Sequence, residues 1–284
     1  MNNPKRQHHI PRMVLKRFTG SDGRISMFDG KTEKTQQSLA IEEIAIEKHL
    51  YTIDYEGRKS YTVENYFSRI ESDVEGIINR ISDSNSLVSI DNKDFHSLLE
   101  FISFLIARTP KRVELTQAYG TGEAMRKIIQ TKAKNKVPDS EVDSFLNVMM
   151  KTKGYVYAST LQSIVEDFMD KLKKYFDGLL SSTRTGAFIL NDNYAAIERP
   201  STPLFENTNS NWWEQPVRIH CPLTSKLCLT FIPKKCPQDN DFHVSVQELE
   251  EEKVEEINKL IFDSRSRFVY ASSSSALENI ALQS

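Results

Sequence analysis

Six residues scattered along the chain have side chains that could do chemistry together: His8, Glu64, Glu71, Arg108, Asp192 and Asn258. An imidazole titrates near neutrality and can give or take a proton. Carboxylates can hold a divalent ion or activate water, and an arginine can stabilise charge on a transferring phosphoryl group. The expected roles are therefore Glu64, Glu71 and Asp192 as metal ligands or bases, with Mg²⁺ or Mn²⁺ as the metal, and His8 as acid or base. Arg108 would clamp an anion and Asn258 would contact the substrate. The same residue types also build buried structural networks, in which every charge is answered by a protein partner. On that reading His8 hydrogen-bonds the interior, Glu64 and Glu71 neutralise a neighbouring helix, and Asp192 caps a turn.

These side chains can meet only if separate elements bring them together. His8 lies in the stretch QHHIPRMVLKRF, where Pro11 keeps the preceding residues extended and Leu15 and Phe18 can pin the segment to a core. Ser60 to Ile81 reads as a helix, because Val63, Phe67, Ile70, Val74, Ile77 and Ile81 recur at steps of three and four. Glu64 and Glu71 are seven residues apart, close to two turns, so both point the same way beside that stripe. A second helix spans Asn92 to Pro110, capped by Asp91 or Asn92, and ends in Arg108-Thr109-Pro110. A guanidinium leaving so apolar a helix needs an anion, from Glu64 or Glu71 or from a substrate.

Residues 111 to 180 read as helical, the last helix running from Ser159 to Leu180. Short strands follow at Gly186 to Leu190, Val217 to His220 and Leu227 to Ile232, with Asp192 just past the first. Between them, Glu198 to Trp213 reads as a surface excursion that Trp212 and Trp213 anchor. Asn258 falls in a helix from Ser245 to Ser264, followed by a strand over Arg267 to Ala271 and a loose tail.

Composition narrows the field. Hydrophobic residues at 39% and charged residues at 27% describe a folded globular protein rather than a disordered one. A formal net charge of −2 offers no global attraction for nucleic acid, which leaves a local basic patch as the route to a nucleic acid or nucleotide partner. Cys221, Cys228 and Cys236 fit neither a disulfide framework nor a zinc knuckle, so a cytoplasmic setting is expected. There is no apolar run long enough for a membrane helix. Signatures of P-loop enzymes, Rossmann dehydrogenases, α/β-hydrolases and zincins are absent.

Several of these stretches resemble a bacterial domain family of unknown function, number 4238. The likeness runs through H-x-x-P-x-x-x-L-x-x-F (His8, Pro11, Leu15, Phe18), IAIEKHLY with Glu47 and Tyr51, the pair Glu64 and Glu71, and the R-T-P ending at Arg108. Further on it includes Asp192-Asn193, where Tyr194 stands in place of the family's proline, and the ending Asn258-x8-Arg267-Phe-Val-Tyr-Ala. The resemblance implies an organisation and a set of favoured positions, but no reaction. Antiviral defence or a toxin system is the setting such domains suggest.

Together these features predict a helix-rich α+β single domain over residues 1–284, with a helical middle at about 111–180. Its small, mostly antiparallel sheet should draw strands from both chain ends. The function expected first is a nuclease-like phosphodiesterase, a metal-dependent hydrolase. The alternative is a non-catalytic binding or regulatory module with a buried structural polar network.

Overall fold

A computed structural model describes residues 6–83, 90–119, 123–132, 136–152, 154–198, 217–235 and 242–283. The chain opens with β1 (Arg6–His8), the single turn α1 (Arg12–Leu15) and a 3-10 turn at Lys16–Phe18. Strands β2 (Ile25–Asp29), β3 (Lys34–Leu39), β4 (Ile46–Lys48), β5 (Ile53–Tyr55) and β6 (Arg58–Ser60) follow. The helical middle comprises α2 (Thr62–Asp83), α3 (Asn92–Ala107), α4 (Pro110–Tyr119), α5 (Glu123–Lys132), α6 (Asp139–Lys151) and α7 (Tyr155–Tyr175). Next come β7 (Phe176–Ser182), β8 (Leu190–Asn191), β9 (Ala196–Glu198), β10 (Arg218–Thr224), β11 (Leu227–Pro233) and β12 (Val244–Glu248). The chain closes with α8 (Glu251–Asp263), β13 (Phe268–Ala271) and α9 (Ser274–Gln283).

The architecture is α+β, with several small sheets in place of the one expected. A five-stranded sheet runs β12-β7-β11-β10-β9, antiparallel except for the parallel β12–β7 pair. A four-stranded sheet runs β3-β2-β13-β8 and is antiparallel throughout, so it joins strands from both chain ends. β1 pairs with β4, and β5 with β6.

Helix α2 buries Val63, Phe67, Ile70, Val74, Ile77 and Ile81, the six residues of its predicted stripe. Helix α3 starts at a cap in which Asp91 accepts from the backbone N–H of Asp94 at 2.8 Å. It ends before Thr109, and Pro110 opens α4, where a missing N–H costs nothing. Together with α7, the N-terminal segment and the five-stranded sheet, these helices enclose the larger core. A smaller cluster of Phe28, Ile189, Ile261, Phe262, Val269 and Leu277 lies between the four-stranded sheet, α8 and α9. Gly154 permits α7 to start close to the β5 region: with φ of +77° it would place a Cβ 2.5 Å from the Thr52 carbonyl oxygen.

Four segments differ from their sequence pattern. Of the strand expected over Gly186 to Leu190, only Leu190 is in a strand, as the first residue of β8. The predicted helix from Ser159 to Leu180 stops at Tyr175, because Phe176, Gly178 and Leu180 also fit a period of two and turn inward as β7. Val244–Glu248 is a strand paired in parallel with β7, and α8 starts only at Glu251. The tail is not loose. It forms α9, whose Leu277 is fully buried and which packs on β2, β3 and β13. Most of the Glu198–Trp213 excursion, Trp212, Trp213 and Cys236 lie outside the described residues.

Candidate functional site

The N-terminal strap, α2 and the end of α3 meet at Arg108, which is 2% exposed. Its Nη1 donates to Glu71 Oε1 at 2.6 Å, its Nη2 to the His8 carbonyl at 2.5 Å and its Nε to the Tyr51 hydroxyl at 3.4 Å. Tyr51 in turn donates its hydroxyl to the Arg108 carbonyl at 2.7 Å, and its own N–H goes to Gln7 Oε1 at 2.8 Å. The guanidinium carbon lies 4.2 Å from the centre of the Phe67 ring. Burial opposes the charge, but Tyr51, Glu71 and Glu64 around it hold Arg108 protonated above its ordinary range.

His8 therefore joins this region through its backbone. Its imidazole turns the other way, with Nε2 3.2 Å from the Ile41 carbonyl. Burial lowers the His8 pKa, and the nearby arginines lower it further. Glu64 behaves differently from Glu71. Its Oε2 is buried without a hydrogen-bond partner, and burial raises its carboxyl pKa, with repulsion from Glu71 adding to the shift and Arg108 opposing it.

The residues that sequence reasoning missed here are Gln7 and His9. Both are buried, and Gln7 Nε2 and the two ring nitrogens of His9 have no partner. Burial, with Arg108 and His8 nearby, pushes the His9 pKa down to about 3, so its ring is neutral throughout the physiological range. A signal for this was present, because strand alternation places residues 7 and 9 on the face opposite to residue 8.

Asp192 and Asn258 sit elsewhere, beside the four-stranded sheet. Asp192 Oδ1 accepts from the N–H of Ser266 at 2.8 Å, and Oδ2 from those of Arg267 and Phe268 at 2.8 and 3.0 Å. Burial still pushes its carboxyl pKa up against these donors. The turn after β8 is closed by Tyr194 N–H on the Asn191 carbonyl at 3.2 Å, with Tyr194 at φ 63°. The bend expected of a proline is thus made by a tyrosine in the left-handed region, held there by a ring that is 2% exposed. Asn258 accepts from Ile189 N–H at 3.0 Å and donates to the Ala187 carbonyl at 2.8 Å, tying α8 to the segment before β8. Nearby, Arg267 grips Asp29 with two bonds, Nε to Oδ1 at 2.9 Å and Nη2 to Oδ2 at 2.8 Å. That fork holds the Asp29 carboxyl down at a pKa of about 2.

The structure thus brings Glu64, Glu71, Arg108 and the His8 backbone together, and gathers Asp192 and Asn258 into a second set. The two sets share no hydrogen bond or ion pair among the described residues. A Mg²⁺ or Mn²⁺ site of the expected kind needs Glu64, Glu71 and Asp192 to converge. Among the described residues no three or more His, Cys, Asp or Glu side chains are grouped to hold a metal ion, so these carboxylates do not fit that role as a set. Cys221 and Cys228 are free and buried, and no described helix is long and apolar enough to cross a membrane.

Both sets fall on positions quoted above as recurring in one family. The family described as "Protein of unknown function (DUF4238)" matches residues 6–275 of the 284-residue chain. The chain belongs to that family. Within DUF4238 terms, the R-T-P ending and the Glu pair define the Arg108 set, whereas Asp192-Asn193 and the Asn258…Arg267 ending define the other. The chain matches no curated protein and no solved structure.

Proposed function

We propose that this chain is a non-catalytic binding or regulatory module whose Arg108 network locks its N-terminal strap onto the helical layer. The observation that carries this reading is the engagement of Arg108: each of its three guanidinium nitrogens donates to a protein acceptor and its flat face lies on Phe67. A guanidinium so engaged has no fork left for a substrate phosphate. A second reading, the phosphodiesterase, draws support from the buried, unpartnered Glu64 Oε2 and the neutral, unpartnered His9 ring, which are groups suited to moving a proton.

A comparison of Glu71→Gln with Glu71→Ala separates the two. On the module reading Gln still accepts from Arg108, so it unfolds at a temperature closer to the parent than Ala does. Neither Mg²⁺ nor Mn²⁺ shifts the parent's melting temperature, and single- or double-stranded DNA, RNA and nucleotides stay intact. Metal-dependent stabilisation of the parent together with cleavage, both lost in a folded Glu71→Gln, would replace the module with the hydrolase.

A further inference from the structure

The segment leaving α8 and the turn after β2 enclose an open depression of about 430 Å³, lined by Gly30, Lys31, Asp263, Arg265, Ser266 and Arg267. Three cationic side chains meet there, and each is held or freed by a different means. Arg267 is clamped from behind by Asp29, which uses Nε and Nη2 and leaves Nη1 without a protein acceptor among the described residues. Arg265 lies with its guanidinium carbon 4.1 Å from the Phe262 ring centre and 5.3 Å from that of Phe28, and its Nη1 donates to the Phe262 carbonyl at 2.6 Å. Its Nη2 has no acceptor among the described residues. The exposed Lys31 ammonium likewise has none, although the Lys31 N–H goes to Asp29 Oδ1 at 2.9 Å.

The wall of this depression is built closely enough that a side chain at position 30 would displace Arg265. A Cβ on Gly30 would fall 2.9 Å from Arg265 Nε and 3.1 Å from the Arg267 carbonyl oxygen. The backbone of the opposite wall is fixed by Asp192, which takes the N–H groups of Ser266, Arg267 and Phe268, and by Asn193, whose Nδ2 donates to the Ser264 carbonyl at 2.6 Å. Asp29 bonds directly to only one of the three cations, with its charge also reaching Lys31, and Asp263 is the one carboxylate in the lining.

We propose that this depression binds the phosphoryl group of a small phosphorylated molecule. Two guanidinium groups held in place, each with one terminal nitrogen left over, and an exposed ammonium suit a compact, multiply charged oxyanion with several acceptors. The volume falls in the range of small-ligand sites. A duplex is a poorer fit, because tight phosphate-backbone binding uses roughly 6 to 10 contacts, more than three cations offer. The site supplies a ligand class for the binding-module reading and rests on that reading, but on none of the residues around Arg108.

Calorimetric titration of the full chain with inorganic phosphate, adenosine monophosphate and adenosine tests the site. Both phosphoryl compounds should bind with a Kd of about 1 mM or tighter, and adenosine should not. Lys31→Ala and Arg265→Ala should each weaken binding about tenfold, the loss of one hydrogen bond to a charged group. Asp263→Asn should tighten it, because the one opposing charge is gone. The Lys31 ammonium has no hydrogen-bond acceptor among the described residues, so its variant keeps the test sound even if Arg265→Ala unfolds. Binding of adenosine as strong as that of the monophosphate, equal affinity in all three variants, or no phosphate binding by the parent would overturn the site. None of these outcomes touches the module reading, which falls on metal-dependent cleavage instead.

Discussion

Arg108 and Arg267 each pair with a carboxylate from a distant part of the chain, Glu71 and Asp29, but the two pairs face opposite surroundings. Arg108 is sealed: its side chain is 3% exposed, it sits on Phe67, and its other two nitrogens donate to His8 and Tyr51. Arg267 is 47% exposed over a carboxylate that is itself buried, and it fronts a cavity with Arg265 and Lys31 beside it. A buried guanidinium engaged at all three nitrogens fixes elements to each other. A pair whose carboxylate merely aims the guanidinium leaves that cation available to a ligand.

The largest effect that would sharpen this contrast is expected at Arg108. Arg108→Ala leaves the half-buried Glu71 and the His8 carbonyl without their donor and should cost about 3 kcal/mol in urea unfolding, the low end for a broken buried pair because Glu71 keeps some contact with water. An Arg108→Ala protein as stable as the parent would break the contrast, since the sealed pair would then contribute nothing to the fold. Next in size is Asp192→Ala, which leaves three backbone N–H groups without their acceptor and should cost about 2 to 3 kcal/mol. Because Asp192 positions the 266–268 backbone, the same variant should weaken phosphate binding, while any Arg108 variant that still folds should not. Equal phosphate affinity in Asp192→Ala and the parent would remove its positioning role.

The smallest effect has the opposite sign. Burial raises the Glu64 carboxyl pKa, so the folded state holds that proton more tightly than the unfolded one. Stability from this group is present below the unfolded pKa and falls as pH rises through the folded one. Glu64→Gln should therefore stabilise the fold near pH 7, by about 0.5 to 1 kcal/mol, and flatten the stability profile above the unfolded carboxyl value of about 4. Asp29 should act the other way. Its ion pair contributes above about pH 4, the unfolded value, and is lost as the pH approaches 2. A Glu64→Gln protein that melts below the parent at pH 7 would mean that Glu64 carries a partner and belongs to the sealed set.

The helices of the sealed region were legible in the sequence because their apolar stripes repeat at three and four residues, and that repeat has one physical meaning. The same stripe edge correctly placed Glu64 and Glu71 together, and the apolar run before Arg108 foretold a guanidinium in need of an anion. Strands were harder to read. Phe176 and Leu180 satisfy helix and strand periods alike, and only the Gly178 between them leans toward the strand. Which imidazole faces inward turned on the pairing of a three-residue strand with β4, so His8 drew the attention that His9 shares. That Asp192 and Asn258 lie apart from Glu71 depends on strand order in the four-stranded sheet, and no local pattern encodes strand order. The cavity at Lys31 and Arg265 was invisible for the same reason, as its walls meet only when β13 docks on β2.

That docking also sets a schedule for assembly. β13 lies between β2 and β8, so the strand made first in this sheet waits for residues near the end of the chain before its second edge is covered, and Arg267 must find Asp29 across 238 positions. Contacts so distant in sequence are slow to close, and a growing chain meanwhile presents β2 and β8 as open edges to any neighbouring strand. Until Phe268–Ala271 has left the ribosome the sheet is in two halves, and its uncovered edges are open to misassembly during synthesis.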